Sequence, residues 1–251
     1  MFRKITTACL LATVCVVSWT TPSEAHLRDY LFNQSYYTAK RGEIEVETYN
    51  DVTMHEVDNS DKYSTKHQLE LEYGVTDHLQ AALYTVWKWN KGQEYVYDQW
   101  KAEVKYRFFD AGTLPVDLAL YTEYINQNGS GPDDSDKMEW KAIASKNWGR
   151  WNVTANWIME KTIQNANKTE FSWTAGVNYA WTPRWKAGLE WKETLGTADG
   201  FGFHHRNYKV QLMPTIGWSP TPKSKILIGP AFGLSSAAPE LEFRSLIAVE
   251  F

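Results

Sequence analysis

Apolar and polar residues alternate along most of this chain with a period of two. In the clearest stretch, residues 100–108, apolar side chains occupy the even positions and every residue between them is charged. A period of two places successive side chains on opposite faces of a β-strand. Because one face here is wholly charged, the pattern predicts strands that are not buried on both sides.

The same alternation recurs in several later segments, and short and long connections alternate between them. The short ones lie at residues 76–78, 110–114, 149–150, 182–184 and 219–223. The longer, more polar ones lie at residues 51–66, 90–94, 127–135, 161–168, 194–204 and 235–239. Five short and six long connections separate twelve strands, with both chain ends on the side of the short turns.

This sorting of connections is typical of bacterial outer-membrane barrels, which combine an even strand number with short periplasmic turns and longer outer loops. A soluble β-sandwich has no reason to sort its loops in this way. We therefore predict an all-β fold, a single antiparallel transmembrane β-barrel of about twelve strands over residues 42–251. If this assignment splits or merges a hairpin, the barrel has ten or fourteen strands. Pro214 and Pro230 interrupt two of the strands, where we expect bulges or strand ends.

The N-terminus has the three parts of a secretory signal peptide. Arg3 and Lys4 precede an apolar run, and Ser23-Glu24-Ala25 provides a small-x-small cleavage site. We expect residues 1–25 to be removed after export through the inner membrane, and the mature chain to reach the bacterial outer membrane. A retained anchor is the alternative. Both cysteines fall within this segment, so the mature chain would have no disulfide and no thiol chemistry.

Residues 26–41 do not alternate cleanly, although they contain several aromatic side chains. Two interpretations remain open for this segment: a periplasmic N-terminal extension, or a plug of the barrel.

Composition and charge agree with a membrane barrel. The chain has 13 tryptophans, and its net charge of −4 argues against a nucleic-acid partner. An indole ring prefers the headgroup level of a bilayer. We predict an interfacial belt in outer-membrane lipid from the tryptophans beside the short turns, with ordinary hairpin-end aromatics as the alternative: Trp148, Trp151, Trp181, Trp185 and Trp218.

The C-terminal strand has apolar residues at alternate positions and ends on an aromatic residue. These residues include Ile247, Val249 and Phe251. In a closed barrel the last strand must pair with the first. The pattern resembles the C-terminal signal that the outer-membrane barrel assembly machinery reads, so we predict that machinery as a partner.

Two stretches carry a family resemblance. Residues 70–80 (ELEYGVTDHLQ) and residues 40–47 (KRGEIEVE) resemble the transporter-like outer-membrane barrels grouped with the MetA pathway of phenol degradation. The local match covers about a tenth of the chain, while the rhythm of strands and turns covers most of it. The resemblance implies a channel or transporter that passes small solutes, hydrophobic or aromatic in kind.

The alternation also predicts which charged side chains point into the lumen. They form an acidic wall and several basic patches, and two interpretations remain open. Either the side chains bridge and fill a narrow lumen, or they line a hydrated pore and give it selectivity. The predicted lumen residues are Glu45, Glu47, Glu70, Glu72, Lys101, Glu103, Lys105, Arg107, Glu123, Lys141, Lys186, Glu190 and Arg244.

Enzymatic and metal functions have weaker support. A rim-site lipid hydrolase is the main alternative, because some outer-membrane barrels are hydrolases, but no serine lies beside a histidine on a shared face. Acidic outer loops are compatible with calcium, but solvated loops that face a divalent-rich surface explain them better. We predict no catalytic residues, no metal site and no cofactor.

Overall fold

The computed structural model describes residues 27–128, 135–163, 168–198 and 208–251. The signal peptide predicted at residues 1–25 lies outside these ranges, as do His26, His204 and His205. Twelve strands are present: β1 Ile44–Met54, β2 Tyr63–Thr76, β3 Leu79–Asn90, β4 Val96–Arg107, β5 Asp117–Gln127, β6 Lys137–Trp148, β7 Trp151–Thr162, β8 Thr169–Ala180, β9 Trp185–Thr197, β10 Lys209–Thr221, β11 Ser224–Gly233 and β12 Leu241–Glu250.

The strands form one closed antiparallel barrel. Each strand pairs with its neighbours in sequence, and β1 closes the barrel against β12. The closure extends to the last residue, because the backbone N–H of Phe251 donates to the carbonyl of Ile44 at 2.9 Å. The predicted all-β, twelve-stranded antiparallel barrel is confirmed.

The two ends of the barrel differ in their connections. At one end, called the short-turn end below, most hairpins close in two to four residues, such as residues 77–78 and 149–150. The connection at residues 108–116 is longer than the sequence pattern indicated, because β4 ends at Arg107. The opposite end, called the long-loop end, carries the longer connections, including residues 55–62 and 234–240.

Side chains alternate between the outside of the barrel and its lumen. On β2, Leu69 and Leu71 face outward and are 47% and 50% exposed, while Glu70 between them is fully buried. Apolar residues on a soluble protein seldom form so extensive an exposed surface, whereas lipid solvates one. Outward-facing apolar residues elsewhere on the barrel include Leu83, Val104, Leu118, Leu120, Val153, Trp157, Leu189, Ile228, Phe243 and Ile247.

The two prolines within strands face each other. On either side of them the β10–β11 register is the same, since Leu212 pairs with Phe232 and Ile216 pairs with Ile228. Pro214 therefore lies opposite Pro230, at a point where neither residue has an N–H to donate. The expected bulges or strand ends at these prolines are wrong, because both strands continue past them in an unchanged register, and two opposed prolines offer no N–H that needs an acceptor.

Residues 27–41, called the luminal segment below, run inside the barrel without regular secondary structure. Leu27, Leu31 and Phe32 pack with inward side chains of β1, β10, β11 and β12, including Leu246. Tyr36 packs with a second group on β5 and β6. The apolar core of the molecule is thus formed between this segment and the barrel wall. No helix among the described residues is long and apolar enough to cross a membrane.

Candidate functional site: the lumen and its N-terminal segment

All thirteen predicted lumen residues lie at inward positions. Eight of them are at most 5% exposed, while Lys101, Arg107, Lys141, Lys186 and Arg244 keep 13–18% of their side chains accessible. The structure divides them among three places: the luminal segment, a cavity at the long-loop end, and a buried acidic group. Their role in selectivity stays a prediction.

The luminal segment is held at its middle by one carboxylate. Glu190 of β9 accepts hydrogen bonds from three consecutive backbone N–H groups, those of Leu31, Phe32 and Asn33, at 2.6, 2.7 and 3.0 Å. The side-chain amide of Asn33 donates to the same carboxylate at 3.0 Å. Successive N–H groups around one anion stabilise its charge, so Glu190 fixes both the position and the backbone conformation of the segment.

Amide side chains from other strands complete the backbone hydrogen bonding of the segment. Asn156 accepts from the N–H of Gln34 at 2.6 Å and donates to its carbonyl at 3.1 Å. Gln80 accepts from the N–H of Ala39 at 2.8 Å, and Asn178 donates to the carbonyl of Asp29 at 2.7 Å. A buried irregular backbone needs such partners. These hydrogen bonds therefore hold the segment at one defined position, called its seat below, against the barrel wall.

Charged residues hold both ends of the segment. The Asp29 carboxylate accepts from Lys186 at 3.0 Å and from Lys225 at 2.6 Å. Burial raises the pKa of Asp29, but these two ammonium groups outweigh it and hold that pKa well below its usual range. Farther along, Arg107 donates to the hydroxyl of Thr38 at 3.0 Å.

The barrel wall also makes room for the segment through glycine. A Cβ on Gly176 would lie 2.5 Å from Cε1 of Tyr30, and one on Gly74 would lie 1.9 Å from the carbonyl oxygen of Lys40. Neither contact is sterically possible without movement. The Tyr30 hydroxyl then reaches the side-chain oxygen of Asn152 at 2.5 Å.

Between the segment and the long-loop end lies a cavity of about 620 Å³, called the vestibule below. Its floor is formed by Leu31, Phe32 and Gln34 of the segment. Its wall carries charges of both signs, most of them in ion pairs. Four of the five pairs join neighbouring strands, and the pair of Lys141 with Glu139 lies within β6. The five pairs are Arg244 with Asp51, Lys101 with Glu123, Lys141 with Glu139, Lys88 with Asp98, and Lys137 with Glu160.

The other half of the lumen contains buried carboxylates, called the acidic cluster below: Glu45, Glu47, Glu70, Glu72 and Glu103. In the β1–β2 register Glu45 lies opposite Glu72, and Glu47 lies opposite Glu70. Like charges directly opposite one another destabilise a sheet. Arg28 of the segment offsets part of this charge, with its Nη1 3.3 Å from Glu47 and 3.8 Å from Glu70.

Several functional residues were not among the predicted site residues. Lys225 is one, because it lies within the run Ser224-Lys225-Ile226-Leu227-Ile228, where apolar residues occupy both faces. Asn156 and Asn178 are two others. The alternation places both on the polar, inward face, but it does not show that their amide groups bind the luminal segment, which is distant in sequence.

The predicted belt tryptophans all lie at the short-turn end and are 38–60% exposed. Trp148 pairs with Trp151 across the β6–β7 hairpin, and the rings of Trp185 and Trp218 stack at 5.9 Å. Ile247 on β12 faces outward and is 42% exposed, and Phe251, which follows this strand, is 69% exposed. Their interfacial and assembly roles stay predictions.

The described histidines show no catalytic arrangement. Nδ1 of His67 lies 2.7 Å from the side-chain oxygen of Asn50, and Nδ1 of His78 lies 3.1 Å from the carbonyl of Arg107. Within the described ranges, neither ring is hydrogen bonded to a serine. The lipid-hydrolase alternative therefore gains no support from these residues.

Comparisons with known proteins identify the fold. No protein-family model matches the chain, and no relative was found among curated proteins. Among solved structures, it is similar to the COG4313 outer membrane channel from Pseudomonas putida F1, with a TM-score of 0.64 and 13% identity over 88% of this chain and 100% of that one. The KdgM porin in complex with disordered oligogalacturonate has a TM-score of 0.56 and 9% identity over 82% and 98%.

The NanC porin is equally similar in structure, with a TM-score of 0.56 and 10% identity over 83% of this chain and 98% of that one. At these identities the likeness shows the barrel fold alone. The resemblance to the MetA-pathway group stays a prediction.

Proposed function

We propose that this chain is an outer-membrane channel for small solutes whose lumen is closed by the luminal segment. The observation that carries the proposal is the vestibule of about 620 Å³ whose floor is that segment. The outward apolar surface supports a location in a membrane, and the long-loop end would face outward. The three structural neighbours, which their descriptions call a channel or porins, also support this role.

Passage requires the segment to move, because its side chains fill the lumen beneath the vestibule. Tyr30, Leu31 and Tyr36 are at most 2% exposed. The hydrogen bonds that seat the segment come from inward side chains, while the barrel ladder is complete without it. Displacement would therefore open a path without breaking strand pairing.

The vestibule indicates what kind of solute the channel admits. Its paired charges create a strong local field without a large excess of either sign, and Leu31 and Phe32 add an apolar patch at the floor. A small solute with an aromatic or apolar body and a polar edge fits such a lining. The family resemblance points to the same class.

Single-channel conductance of the folded mature chain in a planar bilayer tests the proposal. We expect low conductance from the complete chain and a several-fold larger, steady conductance when residues 27–39 are deleted. Glu190→Gln, which weakens the seat of the segment, is expected to give brief openings. Glu170→Gln provides the matched control, because Glu170 lines the vestibule near the long-loop end of β8.

A folded deletion variant that conducts no better than the complete chain would overturn the channel proposal. The barrel would then be a filled structural or binding barrel, in which the luminal charges lock the wall. Heat-dependent migration in gel electrophoresis would establish that each variant is folded.

A further inference from the structure

We propose that the acidic cluster binds one divalent cation, and that its ligand chemistry selects calcium. This inference is independent of transport, since it rests on the buried half of the lumen at the short-turn end. The ligands are Glu47 on β1 and Glu70 and Glu72 on β2, with Glu45 beside them.

The positions of the carboxylates suit a shared ion. One oxygen each from Glu47, Glu70 and Glu72 lies within 4.8 Å of the others. Two oxygens that both bind calcium at about 2.4 Å can be at most about 4.8 Å apart. All three groups are buried inward positions of paired strands, so they can close on one ion without a change in the barrel backbone.

A second observation points to a missing ligand. Both oxygens of Glu70 and Oε1 of Glu45 are buried without a hydrogen-bond partner among the described residues. Arg28 approaches Glu70 only to 3.8 Å, which is beyond hydrogen-bonding distance. A buried carboxylate without hydrogen bonds is strongly unfavourable. Its presence at 0% exposure therefore indicates that something else stabilises the charge.

There is also space for a single small occupant. Glu45, Glu47 and Glu72 line a cavity of about 10 Å³, together with Arg28 and Lys105. A volume of about this size holds one water molecule or one ion. Glu45, one of the residues with an unpartnered oxygen, lines this cavity, and Glu70 lies opposite Glu47 of its lining in the β1–β2 register.

The charge balance of the cluster favours a cation. Five buried carboxylates face two cationic side chains, Arg28 and Lys105, which leaves three negative charges when all groups are ionised. The nearby Lys101 is already paired with Glu123 at 3.1 Å. One divalent ion would remove two of the three charges, and protons are the competing way to neutralise them.

The ligand set and the space available select calcium among divalent ions. The three ligands are hard carboxylate oxygens, with no histidine or cysteine to favour zinc or copper. Magnesium usually keeps several of its waters, and a cavity of about 10 Å³ cannot hold them. Calcium accepts carboxylates in irregular geometry, singly or through both oxygens.

The test measures bound metal and stability in the same folded barrel. The protein is stripped with a chelator and dialysed against calcium or magnesium, and metal per chain is determined by elemental mass spectrometry. We expect one calcium per chain and a heat-unfolding temperature that rises with calcium and falls with chelator. Glu70→Gln and Glu72→Gln should lose both effects, whereas Glu170→Gln in the vestibule wall should keep both.

Two results would overturn the proposal. One is a wild-type barrel that retains no calcium and whose unfolding temperature does not change with chelator. Protons would then neutralise the buried carboxylates of the acidic cluster. The other is calcium retained equally by Glu70→Gln, which would place the ion elsewhere. If the glutamine variants fail to fold, terbium luminescence of the wild-type protein, sensitised through Tyr49 beside the cluster, replaces them. Absence of calcium-displaceable emission would then refute the site.

Discussion

At the scale of single residues, Glu190 holds the middle of the luminal segment against the barrel wall. Its carboxylate satisfies three backbone N–H groups of the luminal segment at once. Hydrogen bonds to a charged acceptor contribute about 1.5–3 kcal/mol each. Because three consecutive N–H groups share this one acceptor, we expect the position of the segment to depend strongly on this residue.

We predict that Glu190→Gln raises the ratio of displaced to seated segment by at least about tenfold. This factor corresponds to about 1.4 kcal/mol, which is less than the contribution of one charge-assisted hydrogen bond. Glutamine keeps one acceptor oxygen but turns an NH₂ toward the N–H donors. Hydrogen–deuterium exchange of residues 31–34 should accelerate by this factor. Unchanged exchange beside the Glu170→Gln control would contradict the role of Glu190.

At the scale of elements, the luminal segment is an irregular element inside a closed twelve-stranded barrel. Its apolar side chains form the interior core, and its polar ends are tied by ion pairs such as that of Asp29 with Lys186 and Lys225. The barrel closes through direct pairing of β1 with β12, in which the segment takes no part. In the proposed channel, this separation would let the lumen open while the fold persists.

The seating of the segment should depend on pH through Asp29. The pKa of this carboxyl is lower in the folded protein than in the unfolded chain, where it is about 3.9. The ionised Asp29 therefore stabilises the seated segment fully above the unfolded pKa, and this stabilisation is lost as the pH falls from there through the folded pKa. We expect conductance to rise as the pH falls below about 4, because Asp29 then begins to bind a proton in the displaced segment while it stays charged in the seated one.

The variant Asp29→Asn identifies the group responsible. It removes the carboxylate that pairs with Lys186 and Lys225, so the segment should be displaced more often already at neutral pH. The rise of conductance in acid, called the acid step below, should then vanish. Asp98→Asn is the control, because Asp98 pairs with Lys88 at 2.5 Å in the vestibule wall. An acid step of equal size in Asp29→Asn would exclude Asp29 as its origin.

At the scale of the whole molecule, the segment divides the lumen into two unlike halves. The vestibule has paired charges and is accessible, whereas the acidic cluster is buried and carries excess negative charge. This division separates Lys101 from Lys105, which lie four residues apart on the same face of β4. Lys101 lines the vestibule, and Lys105 lines the small cavity of the cluster.

Charge reversal at these two lysines should consequently have different effects. Lys101→Glu is expected to shift ion preference toward cations in the conducting form, and the loss of its pair with the buried Glu123 should also lower heat stability. Lys105→Glu is expected to lower the unfolding temperature, because it adds a buried carboxylate to the cluster. Reversal potentials and heat-dependent gel migration measure the two effects. A shift of ion preference by Lys105→Glu as large as that by Lys101→Glu would contradict the division of the lumen.

The alternation of apolar and polar residues was sufficient by itself to predict the strands, their number and the inward faces. The physical reason is local: a strand exposes successive side chains to opposite environments, and lipid and lumen differ sharply in polarity. Glu70 between Leu69 and Leu71 shows this on one strand. The closed barrel followed, because unpaired edges are too costly in a membrane.

Only the tertiary structure decided what fills the lumen. Residues 27–41 have no periodicity, and their backbone is satisfied by side chains such as Glu190, 159 positions from Leu31. The same folding separated Lys101 from Lys105 and brought Lys225 to Asp29. Such contacts depend on closure of the whole barrel, so no local pattern of residues records them.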